Sequence, residues 1–286
     1  MTSAAAASPG RVSGGGDGSA SAGRWLRRFW YYLPAVIVFV GTIGVWEFVV
    51  RNIDLRGLPL PAPTAIVAAL GDNWAAGRWP LAKAAGATLF EAIGGLAIGT
   101  SLGVVVAFLT ARFATARELL LPLAVGASAV PIIAFAPLMN NWFGVLNPLS
   151  KMMIVAVLVF FPVVVNVTRG LTQVEPAALE LLRSYAASEW TILRVLRLPN
   201  ALPYFFTALK IGTTLSLIGA IVGEYFGGSS EVLGRVVVQS ASALRFDVTW
   251  AAIILAAVTG IVMYLATVAI ERVVIPWHAS VRSQEP

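Results

Sequence analysis

Four glutamates stand within or at the edges of apolar stretches of the 286-residue chain: Glu47, Glu91, Glu224 and Glu271. A carboxylate in hydrocarbon is costly, so each must face protein, water or a cation. Glu47 beside Arg51 and Glu271 beside Arg272 read as anchors at the polar boundary. Glu224, in Val-Gly-Glu-Tyr-Phe-Gly, lies deeper, and there a functional cavity and a packing contact suit it equally. Asn140-Asn141-Trp142 closes a further apolar run, where an interfacial belt or a gate surface would use the same residues. The chain has no cysteine and one histidine, His278, which excludes thiolate chemistry and argues against a metal site. No glycine-rich phosphate loop is present, and Ser, Glu and His form no set with matched spacing.

The elements that must hold these residues follow from composition. Hydrophobic residues make up 58% of the chain and charged residues 12%, about half the roughly 25% of a soluble domain. Mean hydropathy is +0.82, and the apolar residues come in blocks. A cytosolic enzyme, a disordered chain and a nucleic-acid-binding domain are excluded; the net charge of +6 reflects cations at span ends beside anionic lipid. A membrane span needs about 20 apolar residues. Six stretches qualify, at about 31–50, 90–111, 119–139, 149–168, 204–226 and 249–270. The expected fold is an all-α polytopic membrane protein with six transmembrane helices. Pro122, Pro131 and Pro137 interrupt the third span, which suits a helix facing the bundle interior. Gly94, Gly95, Gly99 and Gly103 in the second mark close helix packing. Residues 1–24, largely Ala, Gly, Ser and Thr, read as a disordered tail; 25–278 form the membrane domain and 279–286 a short second tail. With the N-terminus inside, thirteen Lys and Arg fall on the inner side and seven on the outer, which places both termini in the cytoplasm. In the outer connection 52–88, Thr64 is the expected cap of a short helix.

The inner connection, 169–203, is the most informative. Glu175-Pro176 reads as a helix start, and Ala177, Leu181, Leu182 and Tyr185 form an apolar stripe with Glu180 and Arg183 nearby. Ala186-Ala187-Ser188 is a weak break; Trp190, Leu193, Leu196 and Leu198 resume helical spacing until Pro199 stops the pattern. Two short helices result. Such a loop can sit in a partner's groove and transmit its displacement as a lever.

This loop resembles the cytoplasmic signature of the permease subunits of binding-protein-dependent ABC importers: E-A-A, three residues, G, nine residues, then I-x-L-P. Glu180-Leu181-Leu182 takes the first three places, Ala186 the glycine place, and Leu196-Arg197-Leu198-Pro199 the last four. Ala186 there speaks against a left-handed turn, since alanine tolerates positive φ poorly. The resemblance runs from about residue 58 to 278, through LPLPAPTAI, VPIIAFAPLMNNWFG, FFPVVVNVTRGL and ALPYFFTALKIG, and is strongest to the nitrate, sulfonate and taurine branch, which includes thiamine-precursor and riboflavin systems. Glu91 departs from it, where many relatives carry Arg. The resemblance implies a type I importer permease fold of the methionine-importer kind in the plasma membrane. It implies two permease subunits (a homodimer or paralogues) around one path, two cytosolic ATPase subunits that bind ATP, and an extracytoplasmic binding protein. The permease itself would carry no cofactor and be no enzyme. Glu180, Leu181, Leu182, Tyr185, Ala186, Trp190, Leu198 and Pro199 would then couple to the ATPase, and Asn140, Asn141, Trp142, Glu224 and Tyr225 would border the path. The solute would be a pyrimidine or thiamine precursor, a riboflavin-like heterocycle, or a sulfonate, taurine or nitrate. A secondary transporter or a membrane-embedded enzyme are the alternatives, but no internal repeat supports the first and no catalytic set the second.

Overall fold

The computed structural model describes residues 17–52, 60–113 and 131–276, with isolated positions between 114 and 130, and side chains from Leu33 onward. His278 and the tail 279–286 lie outside the described residues, as does most of the first half of the expected third span. The chain divides into two units, 1–58 and 59–286.

The first unit contains one helix, α1 (Asp17–Asn52), which starts inside the stretch expected to be a tail. Its portion from Leu33 to Asn52 is long and apolar enough to cross a membrane. Val36, Ile37, Val38, Phe39 and Val40 are all exposed, as a lipid-facing helix requires. Glu47 accepts a hydrogen bond from Arg51 one turn on.

The second unit is built from helices α2 (Pro63–Asp72), α3 (Leu81–Arg112), α4 (Ile132–Phe143), α5 (Pro148–Thr172), α6 (Pro176–Ser184), α7 (Glu189–Ile192), α8 (Leu198–Phe226), α9 (Leu233–Ser242) and α10 (Phe246–Val274). A π-helical turn, Leu193–Arg197, joins α7 to α8. Four of its helical stretches are long and apolar enough to span: α3, α5, Glu189–Phe226 and α10. The twelve-residue α4 reaches only about 18 Å, short of the roughly 30 Å of hydrocarbon.

Helices α3, α5 and α8 pack on one another as the core, with α10 against α8. Small residues make this possible. A Cβ on Gly95 would fall 2.6 Å from the Met152 carbonyl oxygen, and one on Gly99 2.5 Å from that of Ala156. The helices therefore touch backbone to backbone, as the glycine spacing led one to expect. Gly94 faces Met152 and Gly103 faces Val163, so α3 and α5 run parallel; Gly212 faces Val159 and Gly223 faces Lys151, so α8 runs antiparallel to them. Because α3 and α5 are parallel, the chain between them must return to the side where α3 began, and α4 belongs to that return. Val155, Val159, Val163 and Leu171 are fully buried along the α5 seam.

Two local expectations are corrected. Helix α2 starts at Pro63 with Ala62 as its N-cap residue, so Thr64 lies inside the first turn and proline supplies the start signal. Pro199 does not end the second loop helix: the π turn Leu193–Arg197 carries the chain on into α8, and Pro199 lies in the first turn of that helix.

Candidate functional site

Two places on the second unit gather the residues that the sequence singled out, one at each end of α5. At its C-terminal end stands the α6–α7 hairpin. Pro176 occupies the first turn of α6, with Glu175 as the N-cap residue before it. The helix ends in two bonds, Ala186 N–H to the Arg183 carbonyl at 2.9 Å and Ala187 N–H to that of Leu182 at 3.0 Å. These are the paired contacts of a Schellman C-cap, whose pivot must be left-handed. Ala186 holds that pivot at φ +54°, so the turn that alanine argued against is present. Ser188 then caps α7, its hydroxyl accepting from Thr191 N–H at 3.2 Å.

No residue of α6 is buried. Leu181 (56% exposed), Tyr185 (76%) and Trp190 (68%) leave three large apolar side chains uncovered on this hairpin. Glu180, Ala177 and Arg183 are also exposed, and Leu182 is half-buried. Leu198 is half-buried in the first turn of α8, and Pro199 beside it is exposed.

The hairpin's base is fixed by a residue that sequence reasoning missed. The Asn200 side-chain amide donates to the Gly170 carbonyl at 2.7 Å and to the Gln173 carbonyl at 3.1 Å. It thereby satisfies two end carbonyls of α5 from the start of α8. A Cβ on Gly170 would lie 2.7 Å from Ala201 Cα, so the two helices meet there without clearance. A cleft of about 400 Å³ opens beside it, lined by Phe108, Ala111 and Arg112 of α3 and by Glu189, Trp190, Leu193 and Arg197. Farther along α8, Lys210 donates to both carboxylate oxygens of Glu271 on α10, at 3.0 and 2.9 Å. Glu271 is thus a cross-helix partner, only 6% exposed, and not simply an anchor beside Arg272.

The other end of α5 holds a buried polar cluster. Glu224 is fully buried, and its Oε2 accepts the Gly234 N–H at 2.7 Å. Thr88 Oγ1 accepts the neighbouring Leu233 N–H at 3.0 Å. These two side chains, from α8 and α3, serve as the cap of α9, whose own N-cap residue is Val232. Lys151, 1% exposed, donates to the Val145 carbonyl in the α4–α5 corner. It lies within electrostatic reach of both Glu224 and Glu91, and Glu91 is 5% exposed. Thr88 carried no expectation and Lys151 only that of an outer-side cation; its further signal was that of a lone cation within one turn of a long apolar run.

The five residues expected to border a path divide. Asn140 is buried beside Gly227, whose N–H donates to the Glu224 carbonyl, and neither atom of the Asn140 amide has a hydrogen-bond partner among the described residues. Asn141, Trp142 (64%) and Tyr225 (55%) are exposed. The structure therefore brings Asn140 and Glu224 inside and leaves the other three at the surface. Among the described residues no group of His, Asp and Glu could hold a metal ion.

Known proteins share this arrangement of sequence. Residues 82–276 match the family described as the binding-protein-dependent transport system inner membrane component. A probable ABC transporter permease protein of Haemophilus influenzae is 30% identical over 82% of this chain and 92% of its own length. The formylaminopyrimidine transport permease protein of Halalkalibacterium halodurans is 29% identical over 88% and 99%, and the riboflavin transport system permease protein of Chloroflexus aurantiacus 26% over 90% and 95%. With the family match covering most of the chain, and relatives aligned almost end to end, the protein belongs to the inner membrane permease components of binding-protein-dependent ABC transport systems.

Proposed function

We propose that this chain forms, with a second permease subunit, the translocation path of an ABC importer, and that the α6–α7 hairpin is where a separate cytosolic ATPase grips it. The observation that carries the reading is the uncovered apolar face of α6 on a base locked by Asn200. A surface without a lid calls for a partner, and a rigid base is what a lever needs. In this reading six helices cross the membrane, α4 and the segment before it supplying the third crossing, with both termini in the cytoplasm. The α9 end then faces outward to the binding protein, and Asn140, Asn141, Trp142, Glu224 and Tyr225 stand near the path's outer mouth. The relatives named for a formylaminopyrimidine and for riboflavin support a small heterocycle as solute, and those named for taurine and aliphatic sulfonates support a sulfonate as the second choice.

The test is reconstitution into proteoliposomes with the ATPase and the binding protein, scored as ATP-dependent uptake. Glu180→Lys reverses a charge on the exposed face and is expected to abolish uptake and ATPase association while leaving insertion intact. Uptake at the wild-type rate in that variant would overturn the docking assignment. Orientation is read with single cysteines at Ser184 and Ser229, both exposed, in a chain that has none of its own. An impermeant reagent outside intact cells should label position 229 and spare 184.

A further inference from the structure

The α9 end contains more charge than a helix cap needs. Glu91 from α3, Lys151 from α5 and Glu224 from α8 converge there, one from each core helix, all buried. Three features tie them to α9 and to the α4–α5 corner. Glu224 and Thr88 hold the first two backbone donors of α9. Lys151 holds the Val145 carbonyl in the corner. A Cβ on Gly234 would fall 2.7 Å from Glu224 Cβ and 2.8 Å from the Ile221 carbonyl, so α9 sits directly on α8 with nothing between. Outside the cluster, Lys83 on α3 pairs with Glu231, two residues before α9, at 2.7 Å. The attachment is polar at its N-terminal end, where the buried carboxyl groups of Glu91 and Glu224 meet each other. Two acids held together beside one lysine make this polar contact the part of the attachment most able to rearrange.

We propose that Lys151 and Glu91 are positioning residues. With Glu224 and Thr88 they form a latch that joins α9 and the α4–α5 corner into one piece, and the outer side of the importer opens by moving that piece. Lys151 is the linking member, because it bonds to the corner and lies within electrostatic reach of the acid that caps α9. Glu91 reaches the capping acid from α3, so the cluster ties all three core helices to α9. The assignment of a moving outer side rests on the importer reading above; the latch itself does not.

The test uses the full chain, purified in detergent, with one added cysteine at Val236. That residue is fully buried on α9, and the chain has no other thiol. The rate of maleimide labelling then reports how often α9 lifts from the core. Thr88→Val, near-isosteric, removes one cap and is expected to raise the rate roughly tenfold or more. Lys151→Met leaves two buried carboxylates with no cation and is expected to raise it further. Lys151→Arg should return it close to the parent rate, and Glu91→Gln, whose amide can donate to Glu224 where two acids now meet, should lower it. Should Lys151→Met yield no folded protein, the Thr88→Val and Glu91→Gln rates decide by moving in opposite directions. Parent-like labelling in Thr88→Val and in Lys151→Met or Glu91→Gln would overturn the latch. A latch confirmed by labelling, in a protein whose Lys151→Arg and Glu91→Gln forms associate with no ATPase, would count against the importer reading alone.

Discussion

Gly99 offers the sharpest quantitative prediction about the core. Its missing Cβ would lie 2.5 Å from the Ala156 carbonyl oxygen, 2.9 Å from Ala156 Cα and 3.0 Å from Val159 Cβ. Two of these three atoms are backbone and cannot rotate away. Gly99→Ala must therefore push α3 from α5 by roughly 1 Å to regain an ordinary contact, a gap at which each atom pair loses a quarter to a half of its attraction. Spread over the tens of atom pairs along that seam, the loss is about 2–3 kcal/mol, within the range seen for overpacked cores. Replacing glycine by alanine returns up to about 1 kcal/mol of helix propensity, so the net cost is about 1–2 kcal/mol. Gly94→Ala is the matched control. Its Cβ would meet the Met152 side chain, chiefly Cε and Sδ at 2.8 Å, the far end of a flexible residue. That variant should be neutral or slightly stabilised. The assay is the midpoint of heat-induced loss of monodisperse protein in detergent, compared at one scan rate because the reaction is irreversible. The Gly99 variant should melt several degrees below the Gly94 variant. If Gly99→Ala melts at or above Gly94→Ala, α3 and α5 do not meet at that point.

Further outcomes follow from single contacts. Ala186→Gly relieves the left-handed residue at the α6 C-cap and should stabilise the hairpin by about 0.5–1 kcal/mol, seen as slower proteolysis between α6 and α7. Lys210→Met strands the buried Glu271 carboxylate and should cost about 3 kcal/mol in thermal stability, most of it recovered in the double variant with Glu271→Gln. Asn200→Ala releases the Gly170 and Gln173 carbonyls and should leave the ATPase bound but lower solute-stimulated ATP hydrolysis, since the lever's base is loosened.

The sequence was informative where its patterns were one-dimensional. Apolar blocks marked the long helices α1, α3, α5, α8 and α10, because a span must be apolar along its whole length whatever it packs against. Pro176 and the stripe through Leu181 and Tyr185 marked α6, since a short exposed helix must carry its own start signal and its own periodicity. What escaped was held by partners distant in the chain. The cap of α9 comes from Thr88 and Glu224, 145 and 10 residues away from the donors, so no local motif announces that helix. Lys151 counted as one more cation at a span end, and only the approach of α3 and α8 turns it into a buried charge. Asn200 likewise gains its meaning from α5, 27 and 30 residues earlier. Pro199 misled because proline breaks an α-helix, whereas the preceding π turn had already shifted the hydrogen-bond ladder.

The central claim is that the exposed face of α6 is the surface through which an ATPase drives this permease. A photoreactive phenylalanine analogue at Leu181, which is 56% exposed, tests it in the native membrane, with the same analogue at Ser229 at the opposite end as control. Illumination should join position 181 to a chain that carries a phosphate-binding P-loop, recognised by its mass and peptides. Position 229 should give no such product. An ATPase adduct at 229, or a copurifying ATPase that never joins to 181, would contradict the account.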